Sequence, residues 1–229
     1  MNLYIVSTPI GNLQDVTIRA AKILLEAKII VTESPSKMGI LLEFLEREFP
    51  GFENTEKQIV SLSEDEEEQK IPYVIKLLEY SDIALVSEAG TPLISDPGYK
   101  LVREAIKRGT NIISIPGAAS PVAALTVSGM PPDKFAFLGY LPKKSGKRIE
   151  MLKRISEIKE KISMTVILFE SPHRIIESLG DIQKTLGDID IVITRELTKI
   201  HEEVRREKVS ESIAHFTQTD PRGEFILLI

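Results

Sequence analysis

Ile83-Ala84-Leu85-Val86-Ser87-Glu88-Ala89-Gly90-Thr91-Pro92-Leu93-Ile94-Ser95-Asp96-Pro97-Gly98 is the stretch that decides how this chain folds. Its first four residues are apolar without alternation, the mark of a strand buried on both faces, as in a parallel sheet covered by helices. The strand empties into a loop of Gly, Pro and small hydroxyls. Parallel α/β sheets place ligands beyond the carboxyl ends of their strands, and Gly90 and Gly98 permit close backbone approach or a positive φ there. The same composition also suits a plain strand-to-helix connection with two turn signals. Taken alone, the loop leaves both readings open.

Outward from this stretch the pattern repeats. Leu3 to Val6, Ile29 to Thr32, Ile59 to Ser61 and Ile112 to Ile115 read as further strands, with helical spacing between them. Thr17 to Ala27 is the clearest helix, with Ile18, Ala21, Leu24 and Leu25 on one face behind a cap at Asp15. The alternation predicts a mostly parallel sheet. After a short helix over Pro121 to Ser128, the cluster Gly129-Met130-Pro131-Pro132-Asp133 is the candidate domain junction. An N-terminal domain over 1–130 and a C-terminal domain over 131–229 follow from it.

Beyond the junction, strands are expected at Phe135 to Gly139, Met164 to Phe169 and Asp190 to Thr194. Further extended pieces at His201 to Lys208 and Glu224 to Leu228 flank a helix at Ser210 to Phe216. A helix from Arg174 to Leu186 ends at Gly187. One helical crossover followed by a hairpin-like return predicts a mixed sheet.

Composition narrows the chemistry. The 229 residues contain no Cys, which excludes disulfides, thiolate nucleophiles and zinc-thiolate sites, and three His leave little for any metal site. No apolar run approaches the roughly 20 residues that span a bilayer, and the N-terminus lacks a signal-peptide pattern, so a cytoplasmic protein is expected. The net charge of −5 does not by itself favour a nucleic-acid partner. Its distribution is uneven: Glu64 to Glu68 form an acidic run, whereas Leu141 to Lys161 carries a local excess of five positive charges, including Lys143, Lys144 and Arg148. A solvated helix face accounts for that excess as well as a binding surface does.

Three glycine-containing loops follow three of the expected strands on one rim: Thr8-Pro9-Ile10-Gly11-Asn12-Leu13, the Ser87–Gly98 loop, and Pro116-Gly117-Ala118-Ala119-Ser120-Pro121. None ends in Gly-Lys-Ser/Thr and none reads Gly-x-Gly-x-x-Gly, which removes nucleoside triphosphates and dinucleotides. Small residues with few charges suit an uncharged or zwitterionic ligand held by backbone groups. In the second half, Phe169-Glu170-Ser171-Pro172-His173-Arg174 joins a strand to a helix N-terminus, a place that favours anions. Thr194-Arg195-Glu196-Leu197-Thr198-Lys199 ends another strand with dense ionisable groups, which either pair with one another on a surface or line a cleft.

These loops, with Gly139-Tyr140-Leu141-Pro142, resemble in order and along the whole chain the ribosomal small-subunit RNA (cytidine-2′-O)-methyltransferases of the tetrapyrrole methylase superfamily. The resemblance implies two α/β domains with S-adenosylmethionine between them, a homodimer, and methylation of a ribose 2′-hydroxyl in the decoding region of 16S rRNA, in the free RNA or the 30S subunit. Carried over by position, Ile10, Thr91, Ile94, Ala119, Ser120, Phe169 and Leu197 match the superfamily's cofactor contacts. Glu88, Glu170 and Lys199 are the candidates for catalysis. Arg174, Arg195 and Lys199 stand where phosphate would be held, with His173, Lys143, Lys144 and Arg148 as further RNA contacts.

Some residues depart from the family's pattern. Glu33-Ser34-Pro35-Ser36 replaces the usual Glu-Asp-Thr-Arg, Glu88 replaces an Asp, Ala118 to Pro121 differ from Pro-Ser-Ala, and the chain stops short of an extension that many members carry. The first and last bear on RNA recognition more than on cofactor binding. Two other functions fit parts of the sequence: methylation of a tetrapyrrole-like small molecule, and non-catalytic binding to RNA or the ribosome.

Overall fold

The computed structural model describes residues 1–229. The chain divides into two compact units, Met1–Ala119 and Ser120–Ile229.

In the first unit the strands are β1 (Asn2–Val6), β2 (Ile29–Thr32), β3 (Gln58–Ser61), β4 (Ile83–Val86) and β5 (Asn111–Ile115). They form one sheet in the order β3-β2-β4-β1-β5, parallel throughout. The helices are α1 (Ile18–Glu26), α2 (Pro35–Glu48), α3 (Glu67–Leu77) and α4 (Tyr99–Lys107). Strand pleating sends alternate side chains to opposite faces. Ala84 and Val86 join Leu24, Leu25, Met38, Leu41 and Leu45 of α1 and α2. Ile83 and Leu85 join Val74, Ile75, Leu101 and Ala105 of α3 and α4. β4 is therefore buried on both faces, as its unbroken apolar run requires.

One helix start differs from expectation. Thr17, not Asp15, caps α1: its side-chain oxygen accepts from Ala20 N at 3.1 Å, while Asp15 closes a short 3-10 turn over Leu13–Asp15. A hydroxyl one residue before the helix reaches that N–H; a carboxylate three residues before it stands in the preceding turn.

The second unit contains α5 (Ser120–Ser128), β6 (Phe135–Tyr140), α6 (Ser145–Lys161), β7 (Thr165–Glu170), α7 (Ile175–Leu186), β8 (Asp190–Arg195), β9 (Glu203–Lys208), α8 (Val209–Gln218) and β10 (Phe225–Leu228). The sheet order is β6-β7-β10-β8-β9. Only the β6–β7 pair is parallel; β7–β10, β10–β8 and β8–β9 are antiparallel. Val166, Leu168, Ile191, Ile193, Phe225 and Leu227 face a core built from α6, α7 and α8.

The division after Ala119 lies ahead of the junction drawn at 130. α5 packs on β10 and its neighbours, and Arg206 of β9 donates to the last carbonyls of α5, Ser128 O at 3.1 Å and Val127 O. A cation on unpaired C-terminal carbonyls ties the helix to this sheet. The Gly129–Pro132 cluster is a turn inside the unit. No helix is long and apolar enough to cross a membrane.

Candidate functional site

Parallel strands bring all their carboxyl ends to one edge, and β4, β1 and β5 are neighbours there. The three loops expected on one rim are thus side by side. They are also joined by hydrogen bonds. Thr8 N donates to Gly90 O at 2.9 Å and Gly90 N to Thr8 O at 3.1 Å, an antiparallel bridge between the first and second loops. Thr91 Oγ1 lies 3.0 Å from Ala118 O in the third loop and 3.0 Å from Ser7 Oγ. Thr91 has one hydroxyl proton, and a carbonyl can only accept it, so Ser7 donates to Thr91. Ser7, which no motif in the sequence singles out, holds this chain of bonds together from a buried strand end.

Gly90 is required here: its φ is +82°, and a Cβ would lie 3.2 Å from Ile10 Cγ2. Beyond it Leu93 (φ 73°) and Ser95 (φ 65°) hold left-handed backbone despite their side chains. Each costs of order 1 kcal/mol, so the loop keeps its shape only because both ends are held. Between them Ile94 is 45% exposed. Ile10 is buried, and Thr91 and Ala119 are half-buried. Thr8 Oγ1 is buried with no hydrogen-bond partner.

At the same edge Glu88, after β4, pairs with Lys37 of α2. Glu33, after β2, is pushed above the ordinary carboxylate range first by burial and then by repulsion from Glu88 and Glu64, against the pull of Lys37. Glu33 and Glu88 thus belong to one acidic corner that includes Lys37.

In the second unit several expected site residues have other work. Glu170 is 2% exposed. It accepts from Ser178 Oγ at 2.5 Å and Ser171 N at 2.7 Å, and pairs with Arg174 Nη2 at 2.6 Å. Arg174 also donates to Ser171 Oγ and Leu141 O. This cluster ties β7 to α7 and to the chain after β6. A carboxylate so enclosed takes no proton from a ligand, so Glu170 is structural rather than catalytic. Arg174 commits three of its five N–H groups internally.

Arg148 likewise departs from the RNA contact expected of it. Fully buried, it pairs with Asp181 Oδ2 at 2.6 Å and Glu177 Oε1 at 2.7 Å and donates to Pro142 O and Lys143 O. It fastens α6 to α7 and does not face RNA; the charge run hid it because helical spacing turns one basic position in several inward. Lys143, Lys144 and His173 are exposed.

After β8, Glu196 (φ 51°) and Thr198 (φ 66°) are both left-handed. The kink they make carries Leu197, which is 9% exposed. Glu196 Oε1 accepts from Lys199 Nζ and from Glu224 N, each at 3.0 Å, and Lys199 reaches Glu224 Oε2 as well. Burial lowers the Lys199 pKa, but its bonds to Glu196 and Glu224 outweigh that and leave it raised. Lys199 thus ties Glu196 to Glu224, an ion-pair duty beside the catalytic one expected of it. Arg195 pairs with Glu203 at 2.9 Å while its buried Nε has no partner. Phe169 is half-buried against Phe137 and the exposed Tyr140, with ring centroids at 4.7 and 5.4 Å.

Known proteins resemble this chain along its whole length. Residues 2–212 match the family model for tetrapyrrole (corrin/porphyrin) methylases. The chain is 39% identical over 228 residues to ribosomal RNA small subunit methyltransferase I of Thermotoga maritima, covering 99% of this chain and 97% of that protein. The chain belongs to the ribosomal RNA small subunit methyltransferase I family. The protein of that name from Vibrio cholerae is 42% identical, with 99% of this chain and 76% of the relative covered. Among solved structures, diphthine synthase superimposes with a TM-score of 0.74 at 15% identity, covering 100% of this chain and 89% of that one. A uroporphyrin-III-C-methyltransferase from Thermus thermophilus gives 0.63 at 17%, covering 99% and 93%. At such identities these two establish the tetrapyrrole methylase fold alone. No group of three or more His, Cys, Asp or Glu residues is gathered where it could hold a metal ion.

Proposed function

We propose that this member of the ribosomal RNA small subunit methyltransferase I family transfers the methyl group of S-adenosylmethionine to the ribose 2′-hydroxyl of a cytidine in 16S rRNA, as a cytoplasmic homodimer. The observation that carries the proposal is identity near 40% to enzymes of that name over 99% of the chain.

The residues of the rim fit the cofactor. An adenosine joined to a zwitterionic amino acid needs backbone donors and acceptors, apolar walls and no phosphate cradle. Three loops at adjacent strand ends offer backbone groups, Ile10 and Ile94 offer the walls, and Thr8 Oγ1 is a buried hydroxyl still without a partner. Thr91 and Ala119 complete the set in the first unit. Ser120, Phe169 and Leu197 are proposed contacts on the strength of the family resemblance.

When bound, S-adenosylmethionine supplies a methyl group made electrophilic by its sulfonium. The chain's part is to bring the 2′-oxygen into line and to give its proton somewhere to go. Glu88 is the candidate to accept that proton at its carboxylate, because it is exposed at the strand edge whereas Glu170 is enclosed. Lys143, Lys144 and His173, all exposed, and the two N–H groups left on Arg174 are proposed to meet phosphates. Arg195, paired with Glu203 at the end of β8, is proposed as a further phosphate contact on the strength of its place at that strand end.

The test is methyl transfer from labelled cofactor to 30S subunits, to free 16S rRNA and to a precorrin. Label at one cytidine 2′-oxygen supports the proposal. Label in the precorrin alone replaces it with small-molecule methylation, and no cofactor binding at all replaces it with a binding protein.

A further inference from the structure

One member of the acidic run Glu64 to Glu68 is buried. Glu67, in the first turn of α3, is 4% exposed. Its Oε1 accepts from Gly98 N at 3.2 Å, Lys100 N at 2.9 Å and Leu101 N at 3.1 Å. These N–H groups open α4, where a helix has no partners of its own to offer. The residue at the cap position is Gly98, with φ +114° and no side chain to supply one. That φ is strained for any residue with a side chain, and a Cβ there would lie 2.8 Å from Leu93 Cδ2, which would have to shift. A carboxylate from another helix makes the cap instead, where the positive end of the helix dipole favours it.

The consequence concerns the Ser87–Gly98 loop. Its beginning is held by the Thr8–Gly90 bridge and the Thr91 hydroxyl. Its end is held by Glu67. Between these two anchors lie the left-handed Leu93 and Ser95 and the exposed Ile94. Strained backbone with an exposed apolar tip relaxes unless both ends are fixed. We infer that Glu67 is a positioning residue for the cofactor: acting through the N-terminus of α4, it fixes where Thr91 and Ile94 stand. This assignment rests on the cofactor reading above.

The test compares wild type with Glu67→Ala, Glu67→Gln and Glu67→Asp. The measurements are S-adenosylmethionine affinity by calorimetry, KM against kcat for RNA methylation, and hydrogen exchange at the amides of Gly98, Lys100 and Leu101. Glu67→Ala is expected to exchange faster at those amides and to bind about tenfold more weakly, as removal of charge-assisted hydrogen bonds implies, with KM rising and kcat at saturation nearly unchanged. Glu67→Gln keeps an acceptor oxygen and is expected within about threefold of wild type. Glu67→Asp keeps the charge but withdraws the oxygen by one methylene; it is expected to be weakened, and it decides the matter if Glu67→Ala does not fold. Affinity unchanged in Glu67→Ala, or in Glu67→Asp should Ala not fold, overturns the assignment, as does Glu67→Gln falling as far as Glu67→Ala. If wild type itself binds no cofactor, the cofactor reading fails first and this assignment with it.

Discussion

Thr91 shows how much one hydroxyl does on this rim. It accepts from Ser7 and donates to Ala118, so it links the ends of all three strands. Thr91→Val keeps the shape and removes both bonds; a cost of about 1–2 kcal/mol in denaturant unfolding is expected, together with weaker cofactor binding, while Thr91→Ser retains both. Arg148 is the opposite case, a charge that serves packing. Arg148→Ala strands Asp181 and is expected to destabilise the protein by about 3 kcal/mol, with RNA affinity per folded molecule unchanged. The double change Lys143→Ala, Lys144→Ala should do the reverse. Stability is unaffected, while RNA binding weakens and the slope of log affinity against log salt falls by roughly one to two, about 0.7 to 0.9 for each phosphate no longer neutralised. Thr91 was singled out in the sequence through the family resemblance, since the loop's composition alone suits a plain strand-to-helix connection equally. The buried fates of Arg148, Glu170 and Glu67 were not legible, because composition reports charge but not which side of a helix or strand end carries it.

At the scale of elements, the β8–β9 connection is held by the Glu196 carboxylate, which accepts from Lys199 Nζ and Glu224 N. Burial raises the pKa of Glu196, but hydrogen bonds from Lys199 and Glu224 N outweigh it and leave the pKa lowered. A carboxylate with a depressed folded-state pKa stabilises the fold above its unfolded pKa near 4 and loses that contribution as pH falls through the depressed value. Glu196→Gln is therefore expected to cost about 1 kcal/mol at pH 7 and progressively less below pH 4, by urea unfolding across that range. The kink at Glu196 and Thr198, and with it the placement of Leu197, should loosen over the same interval. Strands and helices themselves were largely readable from apolar periodicity, including the mixed character of the second sheet. α5 is the exception: the junction expected at 129–133 put it in the N-terminal domain, whereas it packs on β10 and its neighbours, because an apolar nine-residue helix carries no mark of which sheet it will cover.

Over the whole molecule, an overall charge of −5 coexists with the exposed lysines Lys143, Lys144 and Lys147 at the start of α6. The strand order β4-β1-β5 explains why three loops far apart in sequence make one rim, something the sequence indicated only as an expectation that the strands are parallel. The central claim is that this rim serves methyl transfer to small-subunit ribosomal RNA. Its most direct test is nucleotide-resolution mapping of 2′-O-methylation in unmodified 30S subunits incubated with the purified protein and S-adenosylmethionine. The expected result is one new 2′-O-methylcytidine in 16S rRNA, lost in Thr91→Val at limiting cofactor and restored at saturation. Cofactor binding without any new 2′-O-methyl group in the RNA would contradict the claim.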